Sequence, residues 1–520
     1  MKALSSKKHF IVISLIMILS FHFINNFIWL AIDDTPDGVD TAWHLIEAAK
    51  FQILFRGISE SKQSLFSKIK QMFYTFREGS GHIAWPPLIY LISWLLVPSH
   101  FSLFSIRLYV DFLFFSLLII SVYFLGKKIF NKKTGLLAAF LISFYPSVYF
   151  SSRQFGLDLP LTTFTALCTC FILYSESFSR RGYSLLFGLS LGLATWAKLQ
   201  IAFFLLVPLC WETFKIFSKA VEKKSKSLFN LILSLAVTFI LFWVYWGSKL
   251  QSAWVSFCEY ATFLYPSFKN NLFILSEPEI PIFSISNMFF YPSQMLNYTS
   301  WVLFALFVIA LILSWRYKMK RRGFFLASLI VPYLIYTFIS MKWARYTLPF
   351  LVFIALISAW SIDSLRRKYL KKFMLRGIII YCLGVFFIIS WVIPYNKTPF
   401  FCGDFFGYHL PYFRPPAFDA YAETVSEKGI INDIKGKISG SEEVTISYNN
   451  HGARTVLVFY DIFSDYILSG KINLRRDDEL SFSDADYIVL GNQDWFEKKD
   501  ILKKYKVLSK LKEETVLFKE

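Results

Sequence analysis

The sequence predicts an all-α membrane domain with about 11 spans, followed by a small α/β domain outside the membrane. Three observations predict this class. Apolar runs near the roughly 20 residues needed to cross a bilayer recur along the first three quarters of the chain. Basic clusters lie between these runs, and the remainder is charged with short alternating segments. We expect a transmembrane domain at 1–394, with a large first outer loop at 33–84, and an extracytoplasmic domain at 395–520.

The composition supports a polytopic membrane protein. Hydrophobic residues make up 55% of the 520 residues and charged residues only 18%, so a soluble chain of this composition would aggregate. The first apolar run, residues 10–32, is longer than the hydrophobic core of a signal peptide, and no small-x-small cleavage site follows it. We therefore predict a retained first span. The run at 85–97 is too short to cross comfortably, which favours a helix at the membrane interface.

The basic residues predict the orientation. The net charge is +19, and Lys and Arg concentrate in short segments between apolar runs, as in 127–133, 215–226, 316–322 and 366–376. This is the positive-inside pattern rather than a nucleic-acid-binding surface. It puts the N-terminus in the cytoplasm and the C-terminus outside. We expect a multi-pass protein of the plasma (inner) membrane of a bacterium, in contact with membrane lipids and binding no nucleic acid.

The C-terminal segment is predicted to form a mixed α/β domain. Short alternating runs at 444–447, 456–458 and 487–490 predict strands, and residues 422–437 predict a helix between them.

Candidate catalytic residues follow the first span. Asp40, His44 and Glu47 have the i, i+4, i+7 spacing of one helix face, within a helix predicted for 41–55. A carboxylate beside an imidazole suits general base catalysis near neutral pH. A solvated helix with an ordinary ion pair would show the same spacing, so both interpretations remain open.

Charged residues at the ends of later spans form a second set. Asp158 opens an apolar span, where a charge is costly, although a carboxylate there could also cap the helix. Lys198 interrupts the apolar run 185–211 at the turn of a predicted hairpin. It could hold a phosphate or simply extend its ammonium to the interface. Arg345, beside Tyr346, has the same two interpretations. Arg153 could anchor a lipid headgroup or bind phosphate.

These residues lie in motifs that resemble a known family. Asp40-Thr41-Ala42-Trp43-His44 stands in the place of an Asp-Glu-Ala-x-Tyr/His motif, although Thr41 replaces the Glu. Further matching elements are Pro86-Pro87-Leu88-Ile89-Tyr90, the run 123–130, Gly135-Leu136-Leu137-Ala138-Ala139, Ser143-Phe144-Tyr145-Pro146, Lys198 after Gly188, and Arg345-Tyr346. Trp85 stands where the family often has Lys. Residues 10–360 thus resemble the GT-C superfamily of membrane glycosyltransferases, in the branch of protein O-mannosyltransferases and the bacterial aminoarabinose transferase of lipid A.

The resemblance implies an inverting transfer of a sugar from a polyprenyl-phosphate donor to a lipid, glycan or protein acceptor at the outer membrane face. It implies that Asp40 is the base, tuned by His44, and that Asp158 orients the acceptor or a metal. Lys198, Arg153 and Arg345, with Tyr346, would bind the donor phosphate. It implies no certain cofactor and leaves a divalent metal ion open.

Three alternatives compete with this function: a transferase of oligosaccharides or phosphosugars, a transporter or flippase of lipid-linked sugars, and a non-catalytic membrane subunit. Transporters place polar groups at the bilayer midplane and often contain two similar halves. Here the ionisable groups collect at the predicted outer surface, and no two halves match.

Overall fold

The computed structural model describes residues 2–33, 39–78, 86–97, 102–218, 221–247, 249–250, 284–339 and 344–393, together with five strands further on. The helices of the first half are α1 Lys2–Ile32, α2 Val39–Glu60, α3 Leu65–Glu78, α4 Leu88–Leu96, α5 Leu103–Ile129, α6 Lys132–Ser143, α7 Pro146–Ser151, α8 Asp158–Tyr174, α9 Arg181–Thr195, α10 Ile201–Phe217 and α11 Val221–Trp246. Those of the second half are α12 Ile285–Thr299, α13 Trp301–Arg316, α14 Arg322–Phe338, a 3₁₀ helix Ala344–Thr347, α15 Phe350–Asp363, α16 Lys368–Phe387 and a π-helical turn Ile388–Val392.

The helices confirm the predicted membrane architecture. Within the described residues, four segments are long and apolar enough to cross a membrane: His9–Ile32, Leu103–Ile129, Lys223–Trp246 and Lys368–Val392. Helices α12 and α13 form a further candidate, bent by 120° around Ser300, whose φ is 76°. Helices α8, α14 and α15 are shorter apolar helices. Helices α6, α9 and α10 occupy the remaining predicted spans.

The segment after the first span is helical, as predicted. Helix α2 contains the predicted 41–55 helix and extends it by several residues. Helix α4, in the run predicted to be too short to cross, has nine residues. The backbone N–H of Leu88 donates to the carbonyl of Trp196 at 3.0 Å, so the Pro-Pro-Leu element is attached directly to the connection between α9 and α10.

Helix α8 separates two charged groups along the membrane bundle. Asp158 is its first residue, and Glu176 lies two residues beyond its last. At 1.5 Å per residue, a 17-residue helix holds these carboxylates about 25 Å apart. The Glu176 carboxylate accepts from Lys128 Nζ at 2.8 Å, and this hydrogen bond holds the pKa of Glu176 below its ordinary value. The two ends of α8 therefore carry separate ion pairs.

Arg153, a predicted phosphate ligand, is enclosed inside the bundle, and we propose that it has a structural role instead. Its side chain is fully buried. The Nε group donates to Asn26 Oδ1 of α1 at 2.9 Å, and both terminal nitrogens lie 3.3 Å from Ser390 Oγ in the π-helical turn. Four rings surround the guanidinium carbon, with centroids at 5.0 Å for Trp29 and Phe150 and 5.6 Å for Tyr149 and Phe386. Cation–π contacts and hydrogen bonds thus enclose the cation and fasten three segments together.

The C-terminal strands are β1 Val444–Tyr448, β2 Ile472–Arg476, β3 Tyr487–Gly491, β4 Tyr505–Lys510 and β5 Glu514–Lys519. They form one sheet, in the order β2-β1-β3-β5-β4. β1 pairs in parallel with β2 and β3, whereas β5 is antiparallel to β3 and β4. The predicted strands at 444–447 and 487–490 are confirmed. The predicted strand 456–458 and helix 422–437 lie outside the described residues, and the domain boundary at 394 stays a prediction.

We predict that Arg153→Lys lowers stability but leaves phosphate binding intact. Lysine keeps the charge but lacks the planar fork that stacks on the rings and reaches both Asn26 and Ser390, so a buried cation loses partners. We expect a loss of about 1–3 kcal/mol, measured as a lower thermal midpoint in detergent. Arg56→Lys is the control, because Arg56 makes an exposed pair with Glu60 and should change the midpoint little. Unchanged stability together with weaker phosphate binding would return Arg153 to the phosphate site.

Candidate functional site

The Asp158 carboxylate lies between two cations from distant parts of the chain. Lys198 Nζ donates to Asp158 Oδ1 at 2.6 Å. Arg345 Nε lies 3.7 Å from Asp158 Oδ2. His44 also interacts electrostatically with this carboxylate. The structure therefore brings together four of the residues that the sequence nominated, from α2, the start of α8, the α9–α10 connection and the 3₁₀ helix.

Local sequence explains why Asp158 is available for these contacts. Pro160 suits the first turn of α8, because that turn needs no backbone donor. Leu157 occupies the N-cap position and no side chain caps the helix, so the predicted capping role of Asp158 is not what the structure shows. The carboxylate instead meets Lys198 and Arg345, and as an anion in the first turn it also complements the helix dipole.

Lys198 sits in the tight connection that its position in the apolar run predicted. Helix α9 ends at Thr195, and α10 begins at Ile201. The Lys198 ammonium lies 5.1 Å from the ring centroid of Tyr346, which is buried in the 3₁₀ helix beside Arg345. The Lys198 side chain is 13% exposed and that of Arg345 is 36% exposed. Both cations therefore retain some accessible surface, and Arg345 retains more.

His44 contacts Tyr90, a residue that the sequence does not mark as functional. Its Nδ1 lies 2.8 Å from the Tyr90 hydroxyl, and both side chains are buried. Burial excludes the solvated-helix interpretation for His44. Glu47, one turn further, pairs with Lys50 at 2.9 Å. Tyr90 ends the Pro-Pro-Leu-Ile-Tyr element, and that motif was the only signal that could have identified it.

Asp40 lies one helical turn before His44 in the first turn of α2, and its side chain is outside the described residues. Its assignment as the base stays a prediction. Arg153 is not part of this cluster, since its guanidinium is enclosed in the aromatic cage described above.

The described residues around Asp158 do not form a site for a divalent metal ion. Calcium and magnesium take several oxygen ligands. No group of three or more His, Cys, Asp or Glu side chains converges among the described residues. Lys198 and Arg345 each face one oxygen of Asp158, which favours an anion beside them over a second cation.

Comparisons with known proteins agree with this organisation. A family model described as dolichyl-phosphate-mannose-protein mannosyltransferase matches residues 85–246, which include Asp158, Lys198 and the Pro-Pro-Leu element. No curated protein matches the chain.

The solved structures of ArnT share the fold at low sequence identity. ArnT from Cupriavidus metallidurans in the apo state matches with a TM-score of 0.59 and 13% identity, over 96% of this chain and 97% of that one. The same enzyme bound to undecaprenyl phosphate matches with a TM-score of 0.58 and 12% identity, over the same shares. The archaeal oligosaccharyltransferase AglB from Archaeoglobus fulgidus has a TM-score of 0.48 and 13% identity, over 93% of this chain and 70% of that one.

The family match includes Asp158 and Lys198, whereas His44 and Arg345 lie outside it, and the ArnT fold covers nearly the whole chain. The chain therefore has the fold of ArnT, and its residues 85–246 are similar to the mannosyltransferase family.

Proposed function

We propose that the protein transfers a sugar from a polyprenyl-phosphate donor to a lipid, glycan or protein acceptor at the outer face of a bacterial plasma membrane. The observation that carries this proposal is the Asp158 carboxylate between Lys198 and Arg345. These two cations carry one more positive charge than the Asp158 carboxylate neutralises. Such a cluster suits the phosphate of a lipid-linked sugar.

The cluster would act on the leaving group. When the bond between the anomeric carbon and the phosphate oxygen breaks, negative charge grows on that oxygen. Cations already in place stabilise this charge without reorganising at the moment of reaction. Arg345, the more exposed cation, would contact the phosphate as a planar donor, and Lys198 as a point charge. Asp158 would hold both cations in position, and Tyr346 would support the Lys198 ammonium.

The acceptor side needs a base. An acceptor hydroxyl would attack the anomeric carbon from the face opposite the phosphate, which inverts the configuration. Its proton would pass to Asp40, and the bonding electrons would leave with polyprenyl phosphate. His44, fixed by Tyr90 and interacting with Asp158, lies one turn from Asp40 and would set the basicity of that carboxylate.

Two further points support a lipid-linked donor. ArnT, which shares this fold, has been solved with undecaprenyl phosphate bound. The positive-inside pattern predicts that the start of α8 lies outside the cytoplasm, where nucleotide sugars are not available, so the donor would arrive on a lipid.

We predict that Lys198→Met weakens donor binding while the fold persists. Methionine keeps the length of the side chain and removes only the charge, and Arg345 still pairs with Asp158. Affinity for a short-chain polyprenyl phosphate should fall by roughly 1.5–3 kcal/mol, the range for hydrogen bonds to charged groups. The single-turnover transfer rate should fall further, because the leaving phosphate loses its counter-charge.

Lys128→Met is the matched control for this experiment. It also removes a lysine paired with a carboxylate, but at the far end of α8. It should leave binding and transfer unchanged. If Lys198→Met behaves like Lys128→Met, Lys198 serves only its ion pair with Asp158, and the proposed phosphate site is wrong.

We predict that Asp40→Asn separates binding from chemistry. Asparagine preserves size and hydrogen bonding but cannot accept the proton. Transfer should therefore fall by about 10²–10⁴ with donor affinity largely kept, whereas Lys198→Met should lower both. The measurement is single-turnover transfer alongside binding of the same donor. Near-normal transfer by a folded Asp40→Asn protein would exclude Asp40 as the base.

A further inference from the structure

Two buried glutamines have amide groups that no described residue satisfies. Gln200 is 2% exposed and Gln294 is fully buried, and in both side chains neither the amide nitrogen nor the amide oxygen has a hydrogen-bond partner among the described residues. A buried amide without a partner is costly, so such groups usually mark a place where water or a ligand supplies the missing bonds.

A row of three tyrosines links these glutamines to the phosphate cluster. The ring of Tyr346, which lies beneath the Lys198 ammonium, is 5.3 Å from Tyr336, and Tyr336 is 5.8 Å from Tyr291. All three side chains are buried. We call Tyr291, Tyr336 and Tyr346 the tyrosine wall. It runs from the candidate phosphate site to α12.

Gln294 lies at the α12 end of the tyrosine wall. It follows Tyr291 by three residues, which places both on the same helix face. Two contacts fix α12 against α14: Asn287 Nδ2 donates to the Thr337 carbonyl at 3.0 Å, and the Tyr333 hydroxyl donates to the Met288 carbonyl at 2.6 Å. The position of Gln294 relative to the wall is therefore set by two packed helices.

Gln200 lies near the Tyr346 end of the tyrosine wall in the chain. It follows Lys198 by two residues, and its carbonyl accepts from the Phe203 N–H at 3.1 Å. The rings of Phe203 and Phe204, one turn further, pack on Tyr336 at 5.7 and 5.6 Å. Gln200 thus belongs to the segment that packs on Tyr336 through Phe203 and Phe204, and Gln294 belongs to the helix that carries Tyr291.

We propose that Gln200, Gln294 and the tyrosine wall form the subsite for the sugar ring of the lipid-linked donor. This rests on the proposed function, because it assumes that the adjacent cations hold the donor phosphate. Each amide offers two donors and an acceptor, which match the hydroxyl groups of a sugar. Aromatic rings cover the apolar face of such a ring. The amides are covered in the structure described, so the sugar reaches them by rotating side chains, which is common on binding.

The experiment replaces each amide by an apolar side chain of similar length, in Gln200→Met and Gln294→Met. Each variant is assayed for binding of two probes, a short-chain polyprenyl phosphate and the same lipid phosphate carrying a sugar. We expect affinity for the sugar-carrying probe to fall by about tenfold or more, because sugar hydroxyls lose their partners. Affinity for the sugar-free probe should not change.

Gln52→Met is the matched control. Gln52 is also a buried glutamine, but its Nε2 donates within the protein, to the Ser93 carbonyl at 3.3 Å. Any effect of this change should be equal for the two probes.

Two results would overturn the subsite. The first is unchanged affinity for both probes with raised stability, which would mean that the amides only hold water. The second is an equal loss for both probes, which would assign them to the phosphate. Failure of the proposed function looks different, since the wild-type protein would then bind neither probe.

Discussion

The ion pair between Asp158 and Lys198 is the constraint on which the candidate site depends. A carboxylate at the start of an apolar helix is costly unless cations face it, and Lys198 and Arg345 supply them from segments far apart in the chain. The same pair fixes the α9–α10 connection, to which the Pro-Pro-Leu element is hydrogen-bonded through Trp196. Tyr90 of that element then positions His44. The ion pair and two hydrogen bonds therefore connect four separate segments.

Arg153 and Lys198 show how similar sequence signals lead to different roles. Each is a basic residue near the predicted outer end of a span, and both were candidates for phosphate binding. Arg153 is enclosed by aromatic rings and neutral hydrogen-bond acceptors, which already supply partners for its guanidinium. Lys198 keeps some exposed surface and stands next to a second cation. The difference lies in what surrounds each charge, which depends on tertiary packing rather than on local sequence.

Much of the fold could be predicted from the chain, because spans and basic clusters are local features. The hairpin around Lys198, the α2 helix and two strands of the sheet follow from length, charge and periodicity. Asp158, Lys198, Arg345 and His44 were identifiable because charges near apolar spans are rare. Gln200, Gln294 and Tyr336 were not, since a glutamine or tyrosine in an apolar run carries no signal until its neighbours are known. The glutamines became candidates only through the absence of a partner among the described residues.

The central claim is that the Asp158 cluster binds the phosphate of a polyprenyl-phosphate donor. The most direct measurement is an experimental structure of the wild-type protein with a short-chain polyprenyl phosphate. We expect phosphate density within hydrogen-bond distance, about 2.7–3.2 Å, of Lys198 or Arg345, with Asp158 still paired. A phosphate bound elsewhere, with Lys198 and Arg345 contacting only Asp158, would contradict it.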